Sequence, residues 1–400
     1  MNPTFIQPFP SLTNPSAALS PSIPLHVVSS RRRRSTSCRP VGLSDKKQTE
    51  ENMEAITRVQ RLTEAGIRQV PPQYIQPLDQ RPIKPKSESP SPSPPNNIPL
   101  IDLSKQSESI RCEIGRACRE WGAFHVINHG VPLELLHQIR SVGKSFFEQC
   151  PMPEKLKYSC DSSSAASEGY GSKMLANDDS VLDWRDYFDH HTFPLSRRNP
   201  SNWPESPPNY RRVVADYSDK MEALAVKILK NMSESLGLAP SCIKDAVGDF
   251  YQNITISYYP PCPQPELTLG LQSHSDMGAL TLLIQDDVEG LQVLKDGDWI
   301  TVQPLADAIV VLLADQTQII TNGEYISSQH QAITNASKAR LSVATFHDPA
   351  KTVKISPASE LVSKASPPRY RGVVYKDYVS SWYTKGPDGK RNLDALLLNS

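Results

Sequence analysis

Long apolar runs are missing from this sequence. The longest uninterrupted run, residues 308–314, has seven residues, whereas a helix needs about 20 to cross a bilayer. We therefore expect no membrane association. The 400 residues are 38% hydrophobic, so the chain can still bury a substantial core, and we expect one large folded domain with an N-terminal extension.

An excess of charge of either sign is also missing. Lys and Arg total 43, Asp and Glu total 43, and the isoelectric point is about 7.1. Domains that bind nucleic acid are typically strongly basic. Aromatic residues lie beside basic ones near the C-terminus, as Tyr375 does beside Lys376, but the neutral total predicts no nucleic-acid partner.

Cysteine is sparse and irregularly spaced. The sequence has seven cysteines and no C-x-x-C pair. An odd number without paired spacing is typical of a reducing compartment. Most of these residues are expected to be small buried apolar side chains.

Acidic residues are absent from the start of the chain until Asp45, while Arg31 to Arg34 form a basic block. Residues 1–52 are rich in Pro, Ser and Asn, so no folded core is expected there. Two interpretations remain. An Arg- and Ser-rich leader without acidic residues is typical of a chloroplast transit peptide, and the alternative, which we favour, is a disordered tail on a cytoplasmic protein, with Met53 as a second possible start.

The rest of the chain divides by composition. Residues 53–99 predict a short helix followed by a proline-rich linker. Residues 100–250 predict strands alternating with two long amphipathic helices, at 132–149 and 210–236, whose apolar stripes indicate scaffold. Residues 251–350 contain short strands at close intervals, and residues 351–400 predict a C-terminal helix and tail. This succession predicts a mainly β fold with flanking helices and a double-stranded β-helix, or jelly-roll, core.

The most informative stretch is His274-Ser275-Asp276, which lies between two segments rich in strand-forming residues. In an extended chain, residues i and i+2 share a face, so an imidazole and a carboxylate can reach one metal. His330, at the end of a strand-like segment from residue 324, is the best candidate for a third ligand. Two His and one carboxylate form the facial triad of non-haem Fe(II) oxygenases. Zinc hydrolysis is the weaker interpretation, because the H-E-x-x-H pattern is missing.

Arg340 and Ser342 follow the same period of two, with Ala344 and Phe346 continuing the face. A planar guanidinium binds a carboxylate through two parallel hydrogen bonds. Taken alone, His-x-Asp is more often a pair of ordinary polar residues, and a single strand arginine is more often solvated or paired with an acid. The ordered combination is more specific.

With these residues, the chain resembles the plant family of 2-oxoglutarate- and Fe(II)-dependent dioxygenases, which is related to isopenicillin N synthase. The resemblance extends from about residue 59 to the C-terminus. It includes the Tyr-Tyr-Pro-Pro-Cys-Pro segment at residues 258–263, Asp-Trp-Ile at 298–300, Thr-Asn-Gly at 321–323 and Arg-Leu-Ser at 340–342.

The resemblance implies a role for each matching residue. His274, Asp276 and His330 would hold Fe(II), while Arg340, Ser342 and Tyr259 would bind 2-oxoglutarate. The family's reaction also uses O2, sometimes with ascorbate as reductant, and yields succinate and CO2. The resemblance places Tyr170 near the mouth of the pocket, and both Tyr170 and Phe346 are expected to contact the substrate. We expect a monomer acting on a small, apolar or aromatic plant metabolite or hormone of secondary metabolism.

Several positions depart from the family's usual residues. Ser257 replaces a common asparagine, Leu312 and Ala314 replace Asn and Gly, and Gln331 replaces a frequent arginine. These changes affect the expected pocket shape more than the expected activity. Two alternatives remain, an iron oxidase that uses ascorbate instead of 2-oxoglutarate and a non-catalytic small-molecule receptor.

Overall fold

The structure is a computed structural model that describes residues 58–82, 97–160, 168–172, 181–385 and 389–398. The N-terminal extension, residues 1–52, lies outside these ranges. None of the helices in the described ranges is both long and apolar enough to span a bilayer.

The described chain contains 14 strands and nine α-helices. The strands in chain order are β1 (Leu100–Asp102), β2 (Ala123–Ile127), β3 (Gly169–Gly171), β4 (Asp186–His191), β5 (Tyr251–Tyr259), β6 (Leu269–His274), β7 (Leu280–Gln285), β8 (Leu291–Lys295), β9 (Asp298–Thr301), β10 (Ile309–Leu313), β11 (His330–Ile333), β12 (Arg340–Asp348), β13 (Lys354–Ile355) and β14 (Val373–Val374). The helices are α1 (Val59–Glu64), α2 (Ser107–Glu120), α3 (Leu133–Glu148), α4 (Met152–Leu156), α5 (Tyr210–Ser235), α6 (Cys242–Val247), α7 (Asp315–Ile320), α8 (Tyr375–Lys385) and α9 (Arg391–Asp394).

Two main sheets form the β core. The larger sheet has eight strands in the order β1-β2-β10-β7-β12-β5-β4-β3, and the smaller has four in the order β6-β11-β8-β9. Most neighbouring strands are antiparallel, while β1 and β2 run parallel. This is the mainly β architecture that the close spacing of strand signals predicts.

The two faces of the larger sheet have different side chains. On β5, Ile254 and Ile256 are fully buried in the hydrophobic core, whereas the intervening Asn253, Thr255 and Ser257 line a cavity. Since side chains alternate between faces along a strand, one face of the sheet packs on helices and the other borders the cavity.

Helices α3 and α5 cover the apolar face. Their predicted stripes are buried, with Ile139 and Met221 among the fully buried residues. The ring of Phe147 stacks on that of Tyr258, with centroids 5.2 Å apart and planes 6° apart. Large aromatic side chains contribute much of the burial free energy of a core, so these helices hold the sheet in place behind the cavity.

Local predictions hold in part. The hairpin around Asp296 and Gly297 joins β8 to β9, and both residues have positive φ, 52° and 90°, as tight hairpin turns require. The predicted strand from residue 324 is wrong, because β11 begins only at His330. The segment Gly169–Gly171 pairs with β4 as a strand, although its two glycines favour a loop.

Candidate active site

His274, Asp276 and His330 come together at the edge of the smaller sheet. His274 ends β6 and His330 begins β11, and the two residues are paired across these antiparallel strands. All three are buried. Oδ1 of Asp276 lies 3.4 Å from Nε2 of His274 and 3.6 Å from Nε2 of His330. One ligand atom from each residue lies within 4.8 Å of the other two, so the three could hold one metal ion.

Backbone carbonyls orient both imidazoles. Nδ1 of His274 lies 2.7 Å from the carbonyl oxygen of Gln272, and Nδ1 of His330 lies 3.1 Å from that of Ser328. A carbonyl oxygen only accepts hydrogen bonds, so each Nδ1 carries the hydrogen. In the neutral imidazole, Nε2 therefore presents a lone pair toward Asp276, which is the tautomer that a metal ligand needs.

Asp276 is held in the ionised form. Its Oδ2 accepts a hydrogen bond of 2.5 Å from the hydroxyl of Thr281, which leaves Oδ1 facing the two imidazoles. Burial tends to raise the pKa of this carboxyl, but His330 and His274 outweigh burial and lower the pKa to about 2. Burial lowers the pKa of His330 to about 4, so its imidazole is neutral at pH 7.

His274 differs from His330 in its titration. Burial tends to lower its pKa, but the hydrogen bond and the charge of Asp276 outweigh burial, and the net shift is upward. A metal ion competes with a proton for Nε2, so protonation of His274 opposes metal binding.

Arg340 lies buried at the start of β12, opposite Tyr259 of β5. Its Nη2 donates a hydrogen bond of 2.8 Å to Oε1 of Gln285. Its Nε and Nη1 are buried and have no hydrogen-bond partner among the residues that the structure describes. Unsatisfied buried donors are costly and rare, and here they are free to bind an anionic ligand.

A glycine makes room for this guanidinium. A Cβ on Gly290 would lie 2.6 Å from Cδ of Arg340 and 2.8 Å from its Nε. Real side chains do not approach so closely, so Arg340 can take this position only because residue 290 has no side chain.

A second arginine, Arg185, shares this end of the cavity, and the sequence alone assigned it no binding role. It is buried, and its Nη1 donates a hydrogen bond of 3.0 Å to the hydroxyl of Ser257. Burial tends to raise the pKa of Tyr259, but the charges of Arg185 and Arg340, helped by hydrogen bonds to Ser342 and Ser257, outweigh burial and lower it. Nε of Arg185 also lies 3.9 Å from Oδ2 of Asp183, so Arg340 is the arginine at this end that is available to an anionic ligand.

One cavity connects these groups. Its wall includes all three residues of the metal-ligand set, both arginines, Tyr259, Ser342, Ala344 and Phe346. Three of the positions that depart from the family pattern, Ser257, Leu312 and Gln331, also line it. Helix α8 closes one side with Tyr375, Val379, Trp382 and Tyr383.

Tyr170 lies elsewhere, and the prediction that it contacts substrate is wrong. It is fully buried in the hydrophobic core and is not among the cavity-lining residues of the described chain. Its ring packs edge-to-face on Phe146, and its hydroxyl donates a hydrogen bond of 3.3 Å to Asp186. The strand pairing of β3 with β4 turns this side chain toward the helices.

Comparisons with known proteins give the family. A profile of the 2OG-Fe(II) oxygenase superfamily matches residues 250–349, and a profile described as the N-terminal part of non-haem dioxygenases in morphine synthesis matches residues 98–206. Jasmonate-induced oxygenase 4 of Arabidopsis thaliana is 39% identical over 352 residues, covering 86% of this chain and 98% of the relative. The chain belongs to the 2OG-Fe(II) oxygenase superfamily.

Other relatives are nearly as similar to this oxygenase. An oxoglutarate-dependent flavonoid 7-O-demethylase of Ocimum basilicum is 36% identical, covering 86% of this chain and 92% of the relative. Among solved structures, JOX2 in complex with 2OG, Fe and JA has a TM-score of 0.79 and 38% identity, covering 86% of this chain and 98% of that one. The fold is thus the double-stranded β-helix of these oxygenases, and the enzyme uses Fe(II), 2-oxoglutarate and O2.

The site in this chain suits those cofactors. The donor set is two imidazole nitrogens and one carboxylate oxygen, the set that binds non-haem Fe(II) with open coordination positions. Nε and Nη1 of Arg340 are unsatisfied buried donors that an anionic carboxylate can accept from.

Proposed function

We propose that this oxygenase oxidises a C–H bond of a small, apolar or aromatic plant metabolite or hormone, by hydroxylation, desaturation or demethylation, with succinate and CO2 as co-products. The observation that carries the proposal is the single cavity in which His274, Asp276 and His330 face Arg340, whose Nε and Nη1 have no partner among the described residues.

In this proposal, each site residue has one task. Nε2 of His274, Nε2 of His330 and Oδ1 of Asp276 hold the iron, while Thr281 keeps the other carboxylate oxygen of Asp276 occupied. When bound, iron and 2-oxoglutarate together supply the power to oxidise a C–H bond with O2.

Arg340 binds the distal carboxylate of 2-oxoglutarate, with Ser342 and the hydroxyl of Tyr259 beside it. Arg185 lies at the same end, paired with Asp183. This contact fixes the co-substrate relative to the iron ligands, which is the positioning contribution that a protein makes to such a reaction.

The substrate lies toward Phe346, which is paired with Thr281 across β12 and β7. Because Thr281 also contacts Asp276, Phe346 is close to the proposed iron. Relatives of similar sequence identity, 36–39%, have names that refer to different chemistry: jasmonate induction, flavonoid demethylation and flavanone oxidation.

Metal binding tests the iron site directly. Anaerobic calorimetric titration of Fe(II) into the wild-type protein should give one site per chain, and Asp276→Ala should abolish it. Asp296→Asn is a matched control, because this aspartate is 81% exposed. Equal binding by the Asp276→Ala variant would contradict the assignment.

Co-substrate consumption tests the reaction. With iron, O2 and an accepted substrate, the wild-type protein should convert 2-oxoglutarate to succinate in step with substrate oxidation. Substrate oxidation that requires ascorbate and leaves 2-oxoglutarate unconsumed would favour the ascorbate-using alternative.

We also propose that the protein acts in the cytoplasm. The six cysteines in the described part of the chain form no disulfide with one another, as a reducing compartment allows. When residues 1–60 are fused to a fluorescent protein, the fluorescence should stay in the cytoplasm. Fluorescence in plastids would show that residues 1–52 are a transit peptide.

A further inference from the structure

Helix α7 places its first turn against the chain at Asp276. The backbone N–H of Asp315 donates a hydrogen bond of 2.9 Å to the carbonyl oxygen of Asp276, and that of Gln316 donates one of 2.9 Å to the carbonyl oxygen of Gly278. The first N–H groups of a helix have no partner within the helix itself. In this protein they instead hold the backbone of a metal-ligand residue and of the chain that follows it.

The side chain of Asp315 contacts two further elements. Its Oδ1 accepts a hydrogen bond of 2.8 Å from the hydroxyl of Ser327, and its Oδ2 accepts one of 2.6 Å from the hydroxyl of Tyr378. All three residues are buried. Ser327 precedes Ser328, whose carbonyl oxygen orients the imidazole of His330. Tyr378 belongs to α8, the helix that closes one side of the cavity.

The chain beyond α8 makes a second connection to the metal-ligand set. The N–H of Gly389 donates a hydrogen bond of 3.3 Å to the carbonyl oxygen of Ser273, and its own carbonyl oxygen accepts one of 3.2 Å from the N–H of Ser275. The two bonds lie on either side of His274 and form a parallel β-bridge with it. The backbone that carries His274 is therefore held from the C-terminal side of α8.

These contacts connect α8 and the chain after it to all three residues of the metal-ligand set. His274 is connected through Gly389. Asp276 and His330 are connected through Asp315, by its backbone N–H and by its bond to the segment before His330. Because α8 also forms part of the cavity wall, one helix borders the substrate and supports the metal site.

We propose that Asp315 and Tyr378 are positioning residues of the iron site. Tyr378 fixes the carboxylate of Asp315, and Asp315 holds Asp276 and the segment before His330 at the spacing that Fe(II) binding requires. Neither Asp315 nor Tyr378 is among the cavity-lining residues of the described chain, so both act through other residues. The inference rests on the proposed function, since it assumes the proposed iron ligands.

The physical basis is the cost of an unsatisfied buried oxygen. Without the hydroxyl of Tyr378, Oδ2 of Asp315 loses its donor, which is unfavourable, and the carboxylate shifts toward another donor. Because Asp315 is the first residue of α7, this shift moves the N–H group that holds Asp276. Loss of an outer partner of a metal ligand typically lowers metal affinity about 10- to 100-fold. The lower limit applies here, because Tyr378 acts through a second residue.

The variant Tyr378→Phe keeps the buried ring and removes only the hydroxyl. Anaerobic calorimetric titration of Fe(II) into the full chain should give an affinity about tenfold lower than that of the wild-type protein. The visible charge-transfer band that forms when Fe(II) and 2-oxoglutarate are both added should change its wavelength, because the ligand geometry changes. Neither measurement depends on turnover or on the identity of the substrate.

Tyr210→Phe is the matched control. Tyr210 is also a buried tyrosine, its hydroxyl forms a hydrogen bond of 3.0 Å with Nε2 of His190, and it is not among the described residues that line the cavity. Both variants should lower the melting temperature of the metal-free protein, since each loses one buried hydrogen bond. Only Tyr378→Phe should change the Fe(II) affinity and the band.

A double-mutant cycle tests whether Tyr378 acts through Asp315. Asp315→Ala removes the carboxylate, so it should lower the Fe(II) affinity further than Tyr378→Phe does. Adding Tyr378→Phe to Asp315→Ala should then cause no additional loss, because residues that act as one unit are not additive. If Asp315→Ala does not fold, the comparison of Tyr378→Phe with Tyr210→Phe still decides.

Fe(II) binding by the wild-type protein and by Asp276→Ala, measured first, separates the two claims. A wild-type protein that binds no Fe(II), or an Asp276→Ala protein that binds it equally well, contradicts the proposed iron site. If that site is upheld, three results overturn the positioning role: wild-type affinity and an unchanged band in Tyr378→Phe, an equal loss of affinity in Tyr210→Phe, or a further loss when Tyr378→Phe is added to Asp315→Ala.

Discussion

Replacement of Arg340 by alanine removes the two donors that the structure leaves unsatisfied, Nε and Nη1. A hydrogen bond to a charged group contributes about 1.5–3 kcal/mol. Two such bonds at the lower limit give about 3 kcal/mol, which corresponds to a loss of roughly 150-fold in 2-oxoglutarate affinity. Because Arg185 remains beside Tyr259, we expect weakened binding rather than complete loss.

The assay is calorimetric titration of 2-oxoglutarate into Fe(II)-loaded protein without O2. Arg340→Lys keeps the charge but lacks the planar fork, so it should bind with intermediate affinity. Arg212→Ala is the matched control, because Arg212 is 57% exposed on α5 and pairs with Asp216. An Arg340→Ala protein that binds iron and also binds 2-oxoglutarate with wild-type affinity would refute the assignment of the carboxylate site.

Three further predictions concern the surroundings of the site. Gly290→Ala should weaken 2-oxoglutarate binding at least tenfold while Fe(II) binding stays unchanged, because the new Cβ displaces Arg340; equal affinities by calorimetry would show that Arg340 tolerates the methyl group. Thr281→Val should lower Fe(II) affinity by about 10- to 100-fold, the usual effect of losing a partner of a metal ligand, and a wild-type titration would contradict this role. Fe(II) affinity should fall as pH decreases, since the pKa of His274 is raised and its protonated form cannot bind metal; titrations at several pH values that give one constant affinity would contradict that role.

Local patterns in the sequence predict the core of this site well. The spacing of two in His274-Ser275-Asp276 and in Arg340-Leu341-Ser342 reflects strand geometry, and the structure brings all four outer residues to one cavity. The helices at residues 132–149 and 210–236 are confirmed as α3 and α5, because their apolar stripes are long and regular.

Other features depend on contacts between distant segments. Arg185 reaches the cavity only because β4 pairs with β5, which no local pattern specifies. The bond between Asp315 and Tyr378 joins α7 to α8 across 63 residues of sequence. The importance of Gly290 likewise comes from its contact with Arg340 across the fold.

Tyr170 shows how a local pattern can mislead. The flanking glycines favour an exposed loop, yet pairing of β3 with β4 makes this segment a buried strand. A Cβ on Gly169 would lie 2.5 Å from the carbonyl oxygen of Tyr158. The glycine therefore allows close backbone packing rather than a mobile loop.

The central claim is that one cavity holds Fe(II) on His274, Asp276 and His330 with 2-oxoglutarate chelated beside it. The visible charge-transfer absorption of an Fe(II)–keto acid chelate, recorded without O2, tests this most directly. We predict that the band forms in the wild-type protein when both Fe(II) and 2-oxoglutarate are added, and that it is absent in Asp276→Ala. A band of equal intensity in that variant, or no band in the wild-type protein, would contradict the account.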